Sequence, residues 1–293
     1  MTCERKTMKK SYEQLVSTYR GHNMDYYIIP SRAYIEPFRI FGPVYYVGDK
    51  MVCVHLIDTG DGLLLLDSGY PQAIHILTDS IYHLGYDPHN IKEIIITHGH
   101  YDHFGAAMEY KRLYGCKLAM SKVDTALLRE KPELGLASWS AMENLITLPE
   151  IDHEIEDGEH IRLGCIDMEC KLIPGHTPGA MAFFFNVTED GENRYRVGEF
   201  GGAGKGSATR CTLEHFKMPT SQQYDMLASI ERMKKEHVDI MLGNHPGNNH
   251  TMERREEQLK GNKNAFINPD SWNDFLKGLE TGFKQLIAED KNE

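Results

Sequence analysis

IIITHGHYDHFGAA, residues 94–107, decides how this 293-residue chain is read. KEIIIT (92–97) is a short apolar run of the buried-strand type. His98 and His100 lie two apart just beyond it, so an extended backbone aims both imidazoles the same way. Asp102 and His103 fall where the loop becomes the helix FGAAMEYKRLY (104–114), which Gly115 stops, and they can turn toward a point beside the first. A lone histidine is most often a packing or solvated loop residue. Four ligand-type side chains within six residues at a strand end are hard to assign to packing, and imidazole and carboxylate are the groups that hold divalent transition metals.

One cluster cannot close two metal spheres, so other loops must contribute. IPGHTPGAMAFFF (173–185) sets His176 between Pro-Gly turns directly before a strand, and LGNHPGNNH (242–250) sets His245 just after the strand VDIMLG (238–243). Both are strand-end loops, where a rigid scaffold presents side chains. The candidate ligands are therefore His98, His100, Asp102, His103, His176 and His245. His55, His75, His83, His89, His153, His160, His215, His237 and His250 have no such context and read as surface or packing residues.

Working outward, residues 11–20 form a short helix with Ser11 and Gln14 as a capping box. Residues 38–69 are rich in β-branched and aromatic side chains, with Asp61-Gly62 as a hairpin turn between VHLIDT and LLLLDS. A helix over 71–85 ends at Gly85. MAFFFNVTEDGENRYRVGEF (181–200) again sets two strands around an Asp-Gly, followed by a helix near 221–236. The C-terminal helix, 269–290, places Pro269 in its first turn and repeats Trp272, Phe275, Leu276, Leu279, Phe283, Leu286 and Ile287 at helical spacing as core residues. Hairpins alternating with helices in two similar halves predict an α/β, four-layer αββα sandwich of two mixed β-sheets, helices outside and ligands at the strand ends. No linker divides the chain, so a single domain is expected over 1–293, with 1–35 as an N-terminal extension.

The net charge of −11, and the lack of a basic run with interleaved aromatics, argue against nucleic acid or anionic lipid as partners and leave a small molecule. The start, MTCERKTMKKSYEQL, carries no apolar stretch of a secretory signal, and no window reaches the length of a membrane span. Six cysteines spread thinly, none in C-x-x-C, read as reduced thiols and a cytoplasmic location.

The H-x-H-x-D-H string, the later P-G-H-T-P-G and the terminal strand-then-His resemble the metallo-β-lactamase superfamily over roughly 38–287. His245-Pro246-Gly247 is most similar to the β-lactamase subclass that uses no cysteine ligand. The resemblance implies one metal on His98, His100 and His176, a second on Asp102, His103 and His245, and a water or hydroxide bridging them. Two Zn²⁺ ions suit these ligands, with Mn²⁺ or Fe²⁺ also compatible. The expected activity is hydrolysis of an acyl bond in a β-lactam, lactone, amide or ester, with Asp102 orienting the hydroxide and passing its proton on. The alternatives are a glyoxalase II-like thioester hydrolase and a non-catalytic metal-binding protein on the same fold.

Four further features bear on the site. Asp67, in LLLLDSG, is either a partner that fixes a ligand imidazole or a turn residue. Many non-lactamase hydrolases of the superfamily carry a bridging Asp in a V/T-G-D context, where RVGEFGGAG offers Glu199 instead, as a longer bridge or pointing elsewhere. GEFGGAGKGSATR (198–210) fails as a phosphate loop, because Glu199 and Gly206 stand where Gly and Ser or Thr are needed. It reads instead as a flexible loop over the site, with Lys205 or Arg210 able to meet a substrate carboxylate. The segment 122–160, with Trp139, either lines the pocket or packs in the core.

Overall fold

A computed structural model describes residues 10–22 and 24–291; Cys3 and the basic start of the chain lie outside them. Helix α1 (Tyr12–His22) begins as its sequence requires. Gln14 Oε1 accepts from the Ser11 amide at 2.9 Å, and Ser11 Oγ accepts from the Gln14 amide at 3.3 Å, which caps the first turn. A short α2 (Met24–Ile28) follows.

The first sheet contains β1 (Phe38–Phe41), β2 (Val44–Tyr46), β3 (His55–Asp58), β4 (Leu63–Leu66), β5 (Ile91–Ile95), β6 (Lys117–Ser121) and β7 (His153–Ile155), in that spatial order. β1 to β4 pair antiparallel, with Asp61-Gly62 in the β3–β4 turn, and β4 to β7 pair parallel. The parallel strands need crossovers, and helices supply most of them: α3 (Ile74–His83), α4 (Tyr101–Phe104), α5 (Ala107–Tyr114) and α6 (Lys122–Glu130). The second sheet runs β12-β11-β10-β9-β8, built from β8 (His160–Leu163), β9 (Ile166–Leu172), β10 (Met181–Val187), β11 (Tyr195–Phe200) and β12 (Ile240–Leu242). Only its β11–β12 pair is parallel. Helices α7 (Arg210–His215), α8 (Gln222–Met233), α9 (Thr251–Leu259) and α10 (Asp270–Lys291) complete the order.

Three apolar layers hold four structural layers together, and side-chain alternation explains why. Along LLLL, Leu64 and Leu66 face the second sheet, while Leu63 and Leu65 face the helices on the other side. Phe183 and Phe185 likewise point between the sheets, and Phe184 points outward to Trp272. Leu77, Ile81, Tyr110 and Leu128 of α3, α5 and α6 cover the first sheet. Met226, Ile230, Trp272, Leu276 and Phe283 of α8 and α10 cover the second. This is the αββα sandwich of two mixed sheets that the pattern implied.

Boundaries differ in small ways. The 71–85 helix opens with a 3₁₀ turn at Pro71–Ala73, and the 104–114 helix divides into α4 and α5. Pro269 precedes α10 instead of sitting inside it.

Candidate metal centre

All six predicted ligands converge at the strand ends, in two trios whose facing atoms lie within 4.8 Å of one another. Nε2 of His98, Nδ1 of His100 and Nε2 of His176 form a triangle with sides of 3.0, 3.0 and 3.1 Å. Three corners of a tetrahedron around Zn²⁺ lie about 3.3 Å apart. Asp102 Oδ2 lies 3.4 Å from His103 Nε2 and 3.6 Å from His245 Nε2. The two trios adjoin, since the His98 and His103 rings are 4.1 Å apart.

The hydrogen bonds behind the rings fix which nitrogen faces the centre. The single proton of the Thr97 hydroxyl goes to Asp67 Oδ2 at 2.9 Å, so toward His98 Nδ1, 3.1 Å away, that oxygen can only accept. His98 Nε2 is therefore a lone pair. His176 Nδ1 donates to the Gly204 carbonyl at 2.7 Å, and His245 Nδ1 to the Met51 carbonyl at 2.7 Å. His103 Nδ1 donates to Asp67 Oδ2 at 2.6 Å. His98, His176 and His245 thus turn lone pairs inward, and His103 does so once its Nε2 gives up its proton. The Nε2 lone pairs of His98 and His176, 3.1 Å apart, repel unless a cation lies between them. His103 Nε2 is buried with no hydrogen-bond partner, which is the position of a metal-ligating atom. The residues present fit a pair of divalent ions.

Electrostatics point the same way. Burial, reinforced by the neighbouring histidines, holds His98 and His100 well below the usual imidazole value and brings His176 down to about 4. His103 behaves oppositely: burial works against its charge, yet Asp102 and Asp67 raise it to about 10. For Asp102, burial is outweighed by His103, and its carboxyl is held below the ordinary carboxylate range. The second trio therefore attracts a positive charge at His103 even from a proton.

The loops are shaped for this convergence. Asp67 leaves β4 with φ +62°, a conformation that aspartate tolerates, and its Oδ1 accepts the Thr97 amide at 2.8 Å. Its role is thus that of an imidazole partner as well as a turn residue. A Cβ on Gly202 would come within 2.6 Å of the His176 ring, so the 198–210 loop can cover that histidine only with glycine there. Asn248 Oδ1 accepts from the His245 amide at 3.0 Å and fixes the terminal ligand loop.

Some residues that matter here escaped the sequence reading. Asp124, fully buried on α6, accepts from the Gly99 amide at 2.8 Å, the Thr177 hydroxyl at 2.6 Å and the Gly179 amide at 2.6 Å. It ties the loop of His98 and His100 to the loop of His176. The local signal, Ser121 three residues before Asp124, marks only a helix start. Glu199 does not join either trio: it faces His55 from the opposite sheet at 3.2 Å, with both side chains 1% exposed. His55, read from sequence as a surface or packing residue, is thus buried against Glu199, whose carboxyl burial pushes above its ordinary value. Lys205 and Arg210, offered as contacts for a substrate carboxylate, turn toward α10 instead. Lys205 runs beside Gly282, and Arg210 bonds Glu214 at 2.6 Å and the Asp290 carbonyl at 3.4 Å. Trp139 does line the cleft over the trios, together with Tyr19 of α1.

Comparison with known proteins agrees with this geometry. The family model of the metallo-beta-lactamase superfamily matches residues 47–190. BJP-1, a subclass B3 metallo-beta-lactamase of Bradyrhizobium japonicum, superposes with a TM-score of 0.77 at 28% identity, over 90% of this chain and 98% of that one. The metallo-beta-lactamase GOB-18 from Elizabethkingia meningoseptica gives 0.76 at 27% identity, over 88% and 94%. A hydroxyacylglutathione hydrolase, GloC, of Haemophilus influenzae is 34% identical over 100 residues, 32% of this chain and 44% of its own. The chain spans less than half the length of the first curated relatives it matches. By its αββα sandwich, its two histidine-rich trios and these matches, the chain is similar to the metallo-β-lactamase superfamily, whose family model it matches over residues 47–190.

Proposed function

We propose that this protein is a binuclear metal-dependent hydrolase that opens an acyl bond of a small molecule: a β-lactam, lactone, amide or ester. One domain over residues 1–293 would carry the activity, with Tyr19 of α1 lining the cleft. The observation that carries the reading is the inward-facing Nε2 atoms of His98, His103, His176 and His245, each oriented by a hydrogen bond from its other ring nitrogen. His98, His100 and His176 would hold one ion, and Asp102, His103 and His245 the other. When bound, two Zn²⁺ ions, or Mn²⁺ or Fe²⁺ on the same ligands, supply a Lewis acid and a water acidified to hydroxide near neutral pH.

The chain's own groups do the rest. Asp102 turns Oδ2 toward His103 and His245, and its second oxygen is suited to accept a proton from the attacking water and return it to the leaving atom. The Asp67 hydrogen bond keeps His103 from rotating, and the Gly204 carbonyl does the same for His176. The GloC relative keeps a thioester hydrolase as the second reading. A purely metal-binding role is disfavoured, because both trios are complete.

A cytoplasmic location is consistent with the five described cysteines, all free thiols, three of them buried. Among the described residues, no helix is long and apolar enough to cross a membrane. The test joins metal quantification to a panel of β-lactams, lactones, esters and thioesters, with His98→Ala as control. Two equivalents of metal and turnover lost in the variant are expected. Equal turnover by His98→Ala would sink the proposal.

A further inference from the structure

The cleft over the trios encloses about 240 Å³, and its outer wall is aromatic. Tyr19 and Trp139 meet with ring centroids 4.6 Å apart and planes tilted by 34°, and Tyr70 and Tyr101 lie 5.7 Å from each other. Met51 and Leu136 add apolar surface. This wall is braced. Trp139 Nε1 donates to the Tyr12 hydroxyl at 3.2 Å, and Arg20 fastens α1 by donating to the Ser138 carbonyl at 2.6 Å and pairing with Glu143 at 2.8 Å.

Among the described residues that line the cleft there is no lysine or arginine. Lys205 and Arg210, which sequence position alone would send there, are committed to α10 and Glu214. A carboxylate pressed against this wall would meet the negative faces of the rings and lose hydration with no cation in return. An uncharged flat group would gain burial and offset stacking. Metal ions held by the trios would act on the scissile bond, leaving the aromatic wall to receive another part of the substrate.

Resting on the hydrolase reading above, we propose that the substrate is an acyl compound whose end remote from the scissile bond is an uncharged aromatic or planar apolar group, stacked on the exposed Tyr19 ring, which the buried Trp139 backs. A carboxylated tail is the poorer fit. The recognition element is contributed by α1, outside the part of the chain that matches the family model.

The test uses the metal-loaded full chain and two esters with the same leaving group, 4-nitrophenyl phenylacetate and 4-nitrophenyl hydrogen succinate. The phenylacetate ester should be preferred in kcat/KM by about ten-fold, and Tyr19→Ala or Trp139→Ala should remove that preference through KM. Tyr19 is 38% exposed, so its variant remains informative should Trp139→Ala misfold. Binding is read separately, as quenching of the fluorescence that Trp139→Phe abolishes; Trp272 is buried in α10 and serves as the constant background. Phenylacetamide should quench it and succinamate should not. Equal kcat/KM for the two esters, with both variants lowering them alike, would overturn the inference, as would equal binding of the two amides. Selective quenching by phenylacetamide with neither ester hydrolysed would uphold the aromatic wall and overturn the hydrolase reading instead.

Discussion

The Asp67 carboxylate and the His103 imidazole meet at 2.6 Å with neither side chain exposed to solvent. The same carboxylate accepts from both the amide and the hydroxyl of Thr97, so the turn after β4 sets the orientation of a candidate ligand on the 98–103 loop. Asp67→Ala should therefore lower metal affinity at the Asp102/His103/His245 trio by about 10–100-fold, with less effect on the three-histidine trio. Competition with a chromophoric chelator resolves the two sites. Two unchanged affinities would show that the Asp67 bond does not tune the ligand.

Asp124 acts on the other trio, through backbone. Its three donors, Gly99, Thr177 and Gly179, flank the candidate ligands His98, His100 and His176. Asp124→Asn turns an amide donor toward a donor already in place, and each buried group left unpaired costs about 1–3 kcal/mol. The variant should lose stability in denaturant titration and release its first metal to a chelator more readily than wild type. Thr177→Val, which removes one donor and keeps the carboxylate, should show a smaller loss. Equal effects from the two variants would argue against the brace.

The trios should respond differently to pH. In the metal-free chain His103, raised to about 10, carries a proton through the neutral range, whereas His176, lowered to about 4, does not. Metal entering the second trio must displace that proton, so its affinity should rise about ten-fold per pH unit between roughly pH 7 and 9. Affinity at the first trio should stay nearly flat. Calorimetry in buffers of different ionisation enthalpy measures the proton released, and equal slopes at both sites would refute the assignment. For the metal-free fold the signs are opposite. The His103 contribution is complete below the ordinary value of 6.5 and is lost as pH climbs through about 10. The His176 penalty grows as pH falls from 6.5 toward about 4.

Glu199 and His55 provide a control on the number of ligands. Glu199→Gln removes the carboxyl that His55 faces, and since a buried polar group left without its partner costs about 1–3 kcal/mol, it should lower stability in denaturant titration with metal content unchanged. Replacing both residues, as His55→Leu with Glu199→Met, should recover much of that loss. A fall in bound metal in Glu199→Gln would identify Glu199 as a ligand.

From sequence alone, the six residues that converge into two trios were legible because metal chemistry restricts residue types, and strand-end spacing restricts where they can stand. The sandwich was legible because LLLL, KEIIIT and AFFF bury both faces of a strand. What only the tertiary structure decided are relationships between segments distant in the chain. Asp124 reaches Thr177 across 53 positions, Glu199 meets His55 across the gap between two sheets, and Tyr19 joins Trp139 from the far end of the chain. A buried carboxylate and a turn carboxylate look alike in one dimension. Their partners are chosen by packing, because a charge withdrawn from water is retained only where the fold returns hydrogen bonds or an opposite charge.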